Sequence, residues 1–180
     1  MRKFLLMLFL LFSFSFFAYG QDTDVDGTVT VEETYDEFTQ ITWYEPKYVS
    51  DKDSTYFPNI SCYAGRQGES NILRLKIMYM GKSWLFIESF YLLYDGVVKK
   101  VNFDKYEDYD SNVGQTGNVF EYIDIYVDEE LMNFLENFSQ GKNTKMRLDG
   151  KSSYKDYVVD TISKKAIKII IDKYKELNNK

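Results

Sequence analysis

The sequence predicts a mainly β protein of the α+β class: an antiparallel β-sandwich or curved sheet with a short helix and a C-terminal helix packed on it. Three observations predict this class. Residues 72–79 alternate between apolar and polar side chains with a period of two, which is typical of a half-buried strand. Asp95-Gly96 is a strong hairpin signal between two apolar runs. Residues 164–177 instead repeat their apolar side chains with helical spacing.

The first twenty residues have the pattern of a secretory signal peptide. Arg2 and Lys3 form a basic start, residues 4–17 are almost wholly apolar, and Ala18-Tyr19-Gly20 places small residues at the −3 and −1 positions of a cleavage site. The apolar stretch is short for a membrane span of about 20 residues. A retained N-terminal anchor is the alternative. We therefore expect an exported protein, periplasmic or secreted, and no stable membrane anchor after cleavage.

The segment after the signal, residues 21–37, is acidic and shows no clear core pattern, so we interpret it as a mobile leader. Residues 38–180 are then predicted to form a single β-rich domain. Bacterial lipoprotein processing needs a cysteine at the cleavage site, and the only cysteine is Cys62. A lipid anchor is therefore disfavoured.

Two strands are predicted before the alternating segment. Residues 38–44 form the first and stop near Pro46, and residues 60–64 form the second, which Gly65 closes. Cys62 lies in this second strand. We interpret it as a small strand residue, because no basic cluster adjoins it to lower the pKa of its thiol.

The alternating strand is followed by a hairpin and a loop. Residues 84–93 are apolar on nearly both faces, which predicts a central strand, and residues 97–103 are its partner across Asp95-Gly96. Residues 104–117 are polar and acidic, and we predict a loop there.

The second half of the chain predicts more short strands and both helices. Asp128 is a suitable N-cap for a short helix over residues 129–138, which Gly141 ends. Ser163 is the predicted N-cap of the last helix, residues 164–177. The remaining predicted strands are residues 119–127, 145–148 and 154–159.

The composition excludes several classes of function. The chain has 180 residues, no histidine and one cysteine. Ser-His-Asp and Cys-His catalysis, histidine-ligated zinc and an intrachain disulfide are therefore excluded. The formal net charge of −6 argues against nucleic acid and anionic membranes as partners. We expect a protein that is not an enzyme and has no catalytic or cofactor-binding residues.

One motif near the N-terminus fits a calcium loop. Asp22, Asp24, Asp26, Gly27 and Glu33 match the D-x-D-x-D-G-x5-E spacing, in which carboxylates converge on the cation and glycine permits the sharp turn. By spacing this resembles the loop of EF-hand and dockerin-like modules. No entering helix would precede the loop after signal cleavage, so an acidic solubilising leader is the alternative. Calcium is accordingly the one candidate cofactor.

A second acidic cluster lies in the predicted loop. It begins like a calcium loop, but Val113 occupies the glycine position and no acid follows at the correct spacing. We interpret the cluster as a solvated loop. Its members are Asp104, Glu107, Asp108, Asp110 and Asn112.

Paired carboxylates are the remaining enzymatic route, because glycoside hydrolysis needs no histidine. Glu88, Glu121 and Asp124 lie on predicted strands and could line a cleft, although nothing in the sequence pairs them. A carboxylate-based hydrolase is therefore an alternative to a binding protein.

Tyrosines in polar segments suggest a binding surface for a sugar or a peptide. Tyrosine offers a large amphipathic contact area, and exposed aromatic side chains mark recognition surfaces. Tyrosine is also common in half-buried strands, which is the structural alternative. The candidates are Tyr106, Tyr109, Tyr154 and Tyr157.

Several of these segments carry a family resemblance. Residues 72–79, then Trp84-Leu85-Phe86-Ile87, then Asp95-Gly96 resemble the "LRL-x-I-x-Y … W-L-F-I … DG" pattern of an uncharacterised domain of bacterial secreted proteins and lipoproteins. The resemblance covers about residues 38–177. It implies a β-rich exported module and no known activity or catalytic residue. Further counterparts are Glu121 to Asp124, Arg147 with Gly150, Tyr154 with Asp156, and Tyr174 with Leu177.

Together these observations predict an exported, non-catalytic binding module whose ligand is an unidentified envelope or extracellular component. A calcium-stabilised domain and a carboxylate-based hydrolase are the two alternatives.

Overall fold

The computed structural model describes residues 28–49 and 58–179. In this part of the chain, ten strands form two antiparallel sheets and are accompanied by two helices, which confirms the predicted mainly β, α+β class. The elements are β1 (Thr28–Asp36), β2 (Ile41–Val49), β3 (Ile60–Gln67), β4 (Ser70–Gly81), β5 (Ile87–Tyr94), β6 (Val97–Val101), β7 (Tyr109–Val113), β8 (Val119–Tyr126), α1 (Glu129–Gln140), β9 (Thr144–Gly150), β10 (Tyr154–Val158) and α2 (Thr161–Asn178).

The two sheets differ in size and share a core. The larger has six strands in the order β1-β2-β3-β4-β8-β7, and the smaller has four in the order β10-β9-β5-β6. The predicted alternation on β4 is confirmed, because Leu75 and Ile77 are fully buried while Lys76 between them is exposed. On the smaller sheet, Phe90 and Leu148 are buried, and they belong to the same apolar cluster.

Both helices pack onto the sheets. α2 contacts β1, β2, β3 and β4 of the larger sheet, and α1 packs against α2 and β5. The predicted N-cap of α1 is confirmed, because the Asp128 side chain accepts from the Leu131 backbone N–H at 2.7 Å. The predicted N-cap of α2 is wrong. Asp160 caps the helix by accepting from the Ser163 N–H at 2.7 Å, so Ser163 lies inside the first turn.

The predicted leader, residues 21–37, differs from the structure where it is described. Residues 28–36 form strand β1, which pairs with β2 over nine positions, from Thr28 opposite Val49 to Asp36 opposite Ile41. Most β1 side chains are exposed, and the apolar alternation is confined to Val29 and Val31, which is too short to mark a strand in sequence. The predicted signal peptide, residues 1–20, lies outside the described residues.

Pro46 does not end β2, contrary to the prediction. It pairs with Val31 of β1, and β2 continues to Val49. β3 pairs with β2 only from Thr42 to Tyr44, so beyond Tyr44 the strand has a neighbour on one side only. Proline is tolerated in such a position because a strand with one neighbour need not donate a hydrogen bond on its other side.

For a turn, a loop and a strand, the predicted boundaries agree with the structure to different extents. The Asp95-Gly96 hairpin is confirmed, with φ of +44° and +90° as a tight two-residue hairpin turn requires. The predicted loop over residues 104–117 contains the edge strand β7. The strand predicted over residues 84–93 begins only at Ile87, because the preceding residues turn toward Glu121.

Candidate functional site

The buried carboxylate of Glu121 lies between the two sheets. Its side chain is on the inner face of β8 and has an exposed fraction of 0%. Oε1 accepts from the backbone N–H of Leu85 at 2.5 Å and of Phe86 at 3.0 Å, and Oε2 accepts from the N–H of Ile87 at 2.9 Å. A fourth donor, the Tyr109 hydroxyl, reaches Oε2 at 2.9 Å.

The three amides form an anion-binding nest. Phe86 has a φ of +55°, in the left-handed region that bulky residues rarely adopt. This conformation turns successive N–H groups toward one point, and such a concavity binds anions. Here the bound anion is the protein's own Glu121. The four hydrogen bonds offset the cost of burying the charge and hold the left-handed backbone in place.

The acceptor positions of Glu121 are fully used, two donors on each oxygen, so the carboxylate has no free lone pair for a substrate. Burial, together with the hydrogen bond to Glu121, raises the pKa of Tyr109 to about 12. The arrangement is that of a structural link between the sheets.

The three acids considered for hydrolysis do not converge. Glu121 and Asp124 are three residues apart on β8 and therefore lie on opposite faces of the sheet. Asp124 accepts from Arg74 Nε at 2.8 Å and from the Tyr63 hydroxyl at 2.7 Å. Glu88 is exposed at the irregular start of β5. The geometry does not form the acid pair that a glycosidase requires.

The four predicted binding tyrosines are dispersed. Tyr106 is 98% exposed in the loop before β7, whereas Tyr109 is held inward by Glu121. Tyr154 and Tyr157 lie three residues apart on β10 and so face opposite sides. Tyr154 is exposed beside Arg147, whose guanidinium lies 4.1 Å from the ring centroid. Tyr157 is half-buried and packs against the core.

The candidate calcium residues fall mostly outside the described chain. Asp22, Asp24 and Asp26 lie outside it, and Glu33 is exposed on β1 opposite Tyr44. Within residues 28–49 and 58–179, no cluster of three or more acidic or cysteine side chains could hold a metal ion.

Two carboxylates of the second acidic cluster accept hydrogen bonds from the backbone of their own loop. The Asp104 carboxylate accepts from the N–H groups of Tyr106 and Glu107, and the Asp108 carboxylate accepts from the N–H of Asp104. These carboxylates therefore hydrogen-bond local backbone.

Cys62 is fully buried on β3, and burial raises the pKa of its thiol to about 12, which is consistent with a core residue.

Sequence reasoning missed an apolar patch on the outer face of the six-stranded sheet. Met78 and Met80 share the outer face of β4 with Arg74 and Lys76, at positions where charged side chains are expected. Across the ladder, Met78 is opposite Tyr122 and Met80 is opposite Phe120. The signal was available in the sequence, because the polar half of the β4 alternation becomes apolar at residue 78.

Two hollows flank this patch and adjoin at Met78 and Tyr122, which line both. The first has a volume of about 490 Å³ and extends past Lys76 toward β2, and the second has about 560 Å³ and extends past Met80 to Lys155. We call the two hollows together the outer groove. Tyr157 lines the second hollow, so one of the predicted binding tyrosines belongs to it.

A smaller hollow, about 340 Å³, lies on the outer face of the four-stranded sheet beside Arg147. Arg147 donates from Nε and Nη2 to both carboxylate oxygens of Asp156, at 2.6 and 2.7 Å. This bidentate contact lowers the pKa of the Asp156 carboxyl group. Asp156 and the Tyr154 ring already engage Arg147, so its guanidinium is less available to a ligand. We therefore favour the outer groove as the candidate site.

No helix in the described residues is both long and apolar enough to cross a membrane. Comparisons with protein-family models, curated proteins and solved structures find no match for the chain. The family resemblance described above therefore stays a prediction.

Proposed function

We propose that the protein is an exported, non-catalytic binding module and that it binds its ligand in the outer groove. One observation carries this proposal: Met78, Met80, Phe120 and Tyr122 place apolar surface on the outer side of a sheet, where two hollows meet. Met80 is exposed and the other three are half-buried. Solvent-facing strand positions are normally polar, and a contiguous apolar patch on a surface typically marks an interaction site.

The composition of the patch suits recognition. Met80 is 53% exposed, and methionine side chains adapt to ligands of varied shape. The Phe120 and Tyr122 rings are nearly parallel, with an interplanar angle of 6° and centroids 6.2 Å apart. Aromatic rings of this kind supply a large contact area with little loss of conformational entropy.

The absence of histidine from the sequence and the engagement of Glu121 and Asp124 in structural hydrogen bonds support a non-catalytic role. Export is supported by the basic, apolar and small-residue pattern of residues 1–20. N-terminal sequencing of the protein from producing cells tests this part. A chain that begins at Gln21 supports export, and one that begins at Met1 contradicts cleavage.

Binding is tested by nuclear magnetic resonance on the isotope-labelled protein. Defined short peptides and oligosaccharides, each at millimolar concentration, serve as probes. We expect at least one probe to shift resonances of Met78, Met80 and Tyr122, and we expect Met80→Asp to abolish the shifts. Tyr106→Ser is the matched control, because Tyr106 is 98% exposed and lines neither hollow. If no probe shifts the groove resonances, or if the shifts lie elsewhere, the proposal is wrong.

A further inference from the structure

We propose that the ligand of the outer groove is an extended peptide in which two apolar side chains at alternate positions are followed, two residues on, by a carboxylate. This inference rests on the proposed function and specifies the ligand of the same site.

The first argument is the repeat of the surface. Met80, Met78 and Lys76 occupy alternate positions on the outer face of β4. Alternate side chains of a strand are about 6.6 to 6.8 Å apart along the chain. An extended peptide that lies along β4 has the same repeat on the face that it turns to the protein. Its side chains therefore meet the two methionines and the lysine in register.

The second argument is the composition of the neighbouring strand β8, where two aromatic residues are likewise followed by a charged residue. On β8, Phe120 is opposite Met80, Tyr122 is opposite Met78, and Asp124 is opposite Lys76. The apolar side chains of the peptide would contact one methionine and one ring each. Such contacts bury apolar surface, which favours association.

The third argument is the charge that remains available. Lys76 is exposed, and its cross-strand neighbour Asp124 is already ion-paired with Arg74, whose Nε lies 2.8 Å from the carboxylate. Among the described residues, none of the ion pairs includes Lys76. Within the described residues, no acidic side chain forms an ion pair with this ammonium group, so it can pair with a carboxylate of a ligand.

Charges on the other elements around Lys76 do not cancel this effect. Glu45 lines the same hollow, but it lies on β2, two strands away from β4, which corresponds to about 10 Å. At the far end of the groove, Lys155 adds a second exposed cation. The charged residues that line the two hollows are thus two lysines and one glutamate, and this balance complements an acidic ligand.

The test is calorimetric titration of the full-length protein, as purified from exporting cells, with three synthetic peptides. The first is acetyl-Leu-Thr-Leu-Thr-Asp-amide, the second carries Asn in place of Asp, and the third carries Ser in place of both Leu. Each is also made in reverse order, because either chain direction matches the repeat. We expect the Asp peptide to bind about three- to tenfold more tightly than the Asn peptide, the range of a partly exposed charge pair. We expect the Ser peptide not to bind.

Two variants assign the effect to the lysine. Lys76→Gln is expected to make the Asp and Asn peptides bind equally while leaving the affinity for the Asn peptide unchanged. Lys151→Gln is the matched control, because Lys151 is exposed between β9 and β10 and lines neither hollow. It should leave the difference between the two peptides intact. The difference should also shrink as salt is raised, since screening weakens exposed charge pairs.

The outcomes separate this inference from the proposed function. If the Asp and Asn peptides bind the unmodified protein equally, or if Lys76→Gln changes neither affinity, the acidic-peptide inference is overturned while binding in the groove stands. If oligosaccharides shift the groove resonances and no peptide binds, the inference is again overturned and the binding module is retained. If no probe of either class acts at the groove, both proposals fail.

Discussion

The carboxylate of Glu121 accepts a hydrogen bond from the backbone N–H of Ile87 at 2.9 Å, and this contact joins the two sheets, because Glu121 lies on β8 and Ile87 begins β5. The neighbouring amides of Leu85 and Phe86 donate to the same carboxylate. One buried side chain therefore sets both the path of the chain into the smaller sheet and the position of that sheet against the larger one.

Replacing Glu121 by Gln is expected to destabilise the protein by about 2 to 4 kcal/mol. The amide keeps one oxygen, but its NH2 group would face N–H donors that the carboxylate now satisfies, and buried donors without an acceptor are costly. Urea denaturation measures the change. Glu88→Gln is the matched control: Glu88 is exposed, so its replacement should change the free energy of unfolding by less than about 0.5 kcal/mol. Equal effects of the two variants would contradict the role given to Glu121.

Stability is expected to fall as the pH rises from about 9 to about 12. Burial raises the pKa of the Cys62 thiol from 9.0 to about 12, and it raises the pKa of Tyr109 from 10.0 to about 12. Within this range the unfolded chain releases protons that the folded chain retains, so the free energy of unfolding decreases with pH. The urea midpoint, measured at several pH values, checks the trend. Tyr109→Phe should make the decline less steep, and a midpoint that is independent of pH would refute the prediction.

Gly150→Ala is expected to cost about 3 kcal/mol or more. A Cβ atom at Gly150 would collide with the backbone carbonyl oxygen of Leu85, which cannot move without disturbing the nest around Glu121. Gly68→Ala is the comparison, because Gly68 has a φ of +60° but open space around it, and strain there costs about 1 to 2 kcal/mol. Thermal and urea unfolding of the two variants give the ranking. A smaller loss at Gly150 than at Gly68 would show that the collision is relieved.

Asp160→Ala is expected to lower the free energy of unfolding by about 1 kcal/mol, since the first turn of α2 loses its N-cap. Asp160→Asn should retain most of the stability, because the amide oxygen can still accept from the Ser163 N–H. Denaturant unfolding of both variants measures the difference. If the two variants are equally destabilised, capping is not the main role of this side chain.

The elements that the sequence predicted well are those whose side chains are divided between core and solvent. The alternation on β4 and the Asp128 cap of α1 depend on local spacing, so they are visible without the fold. β1 and β7 were missed because they are edge strands with mainly exposed side chains. Their stability comes from the pairing partner, which the local sequence does not reveal.

The candidate site was less predictable for the same reason. The role of Glu121 depends on the left-handed backbone at Phe86, thirty-five residues earlier in the chain. The outer groove depends on the register that sets Met78 opposite Tyr122, although the apolar residues in the polar half of β4 were a local signal. Tyr157, which was predicted as part of a binding surface, is half-buried and lines the second hollow, whereas the other three predicted tyrosines line neither hollow.

The packing of α2 against β1, β2 and β3 has a consequence for the order of folding. The first described strand and the last described helix share one interface, so the side of the β1-β2 hairpin that packs against α2 stays uncovered until α2 has been synthesised. Contacts between segments so distant in sequence form slowly, because the intervening chain must be closed into a loop first. A nascent chain that still lacks α2 therefore has no means of completing this fold, and it stays open to degradation over that interval.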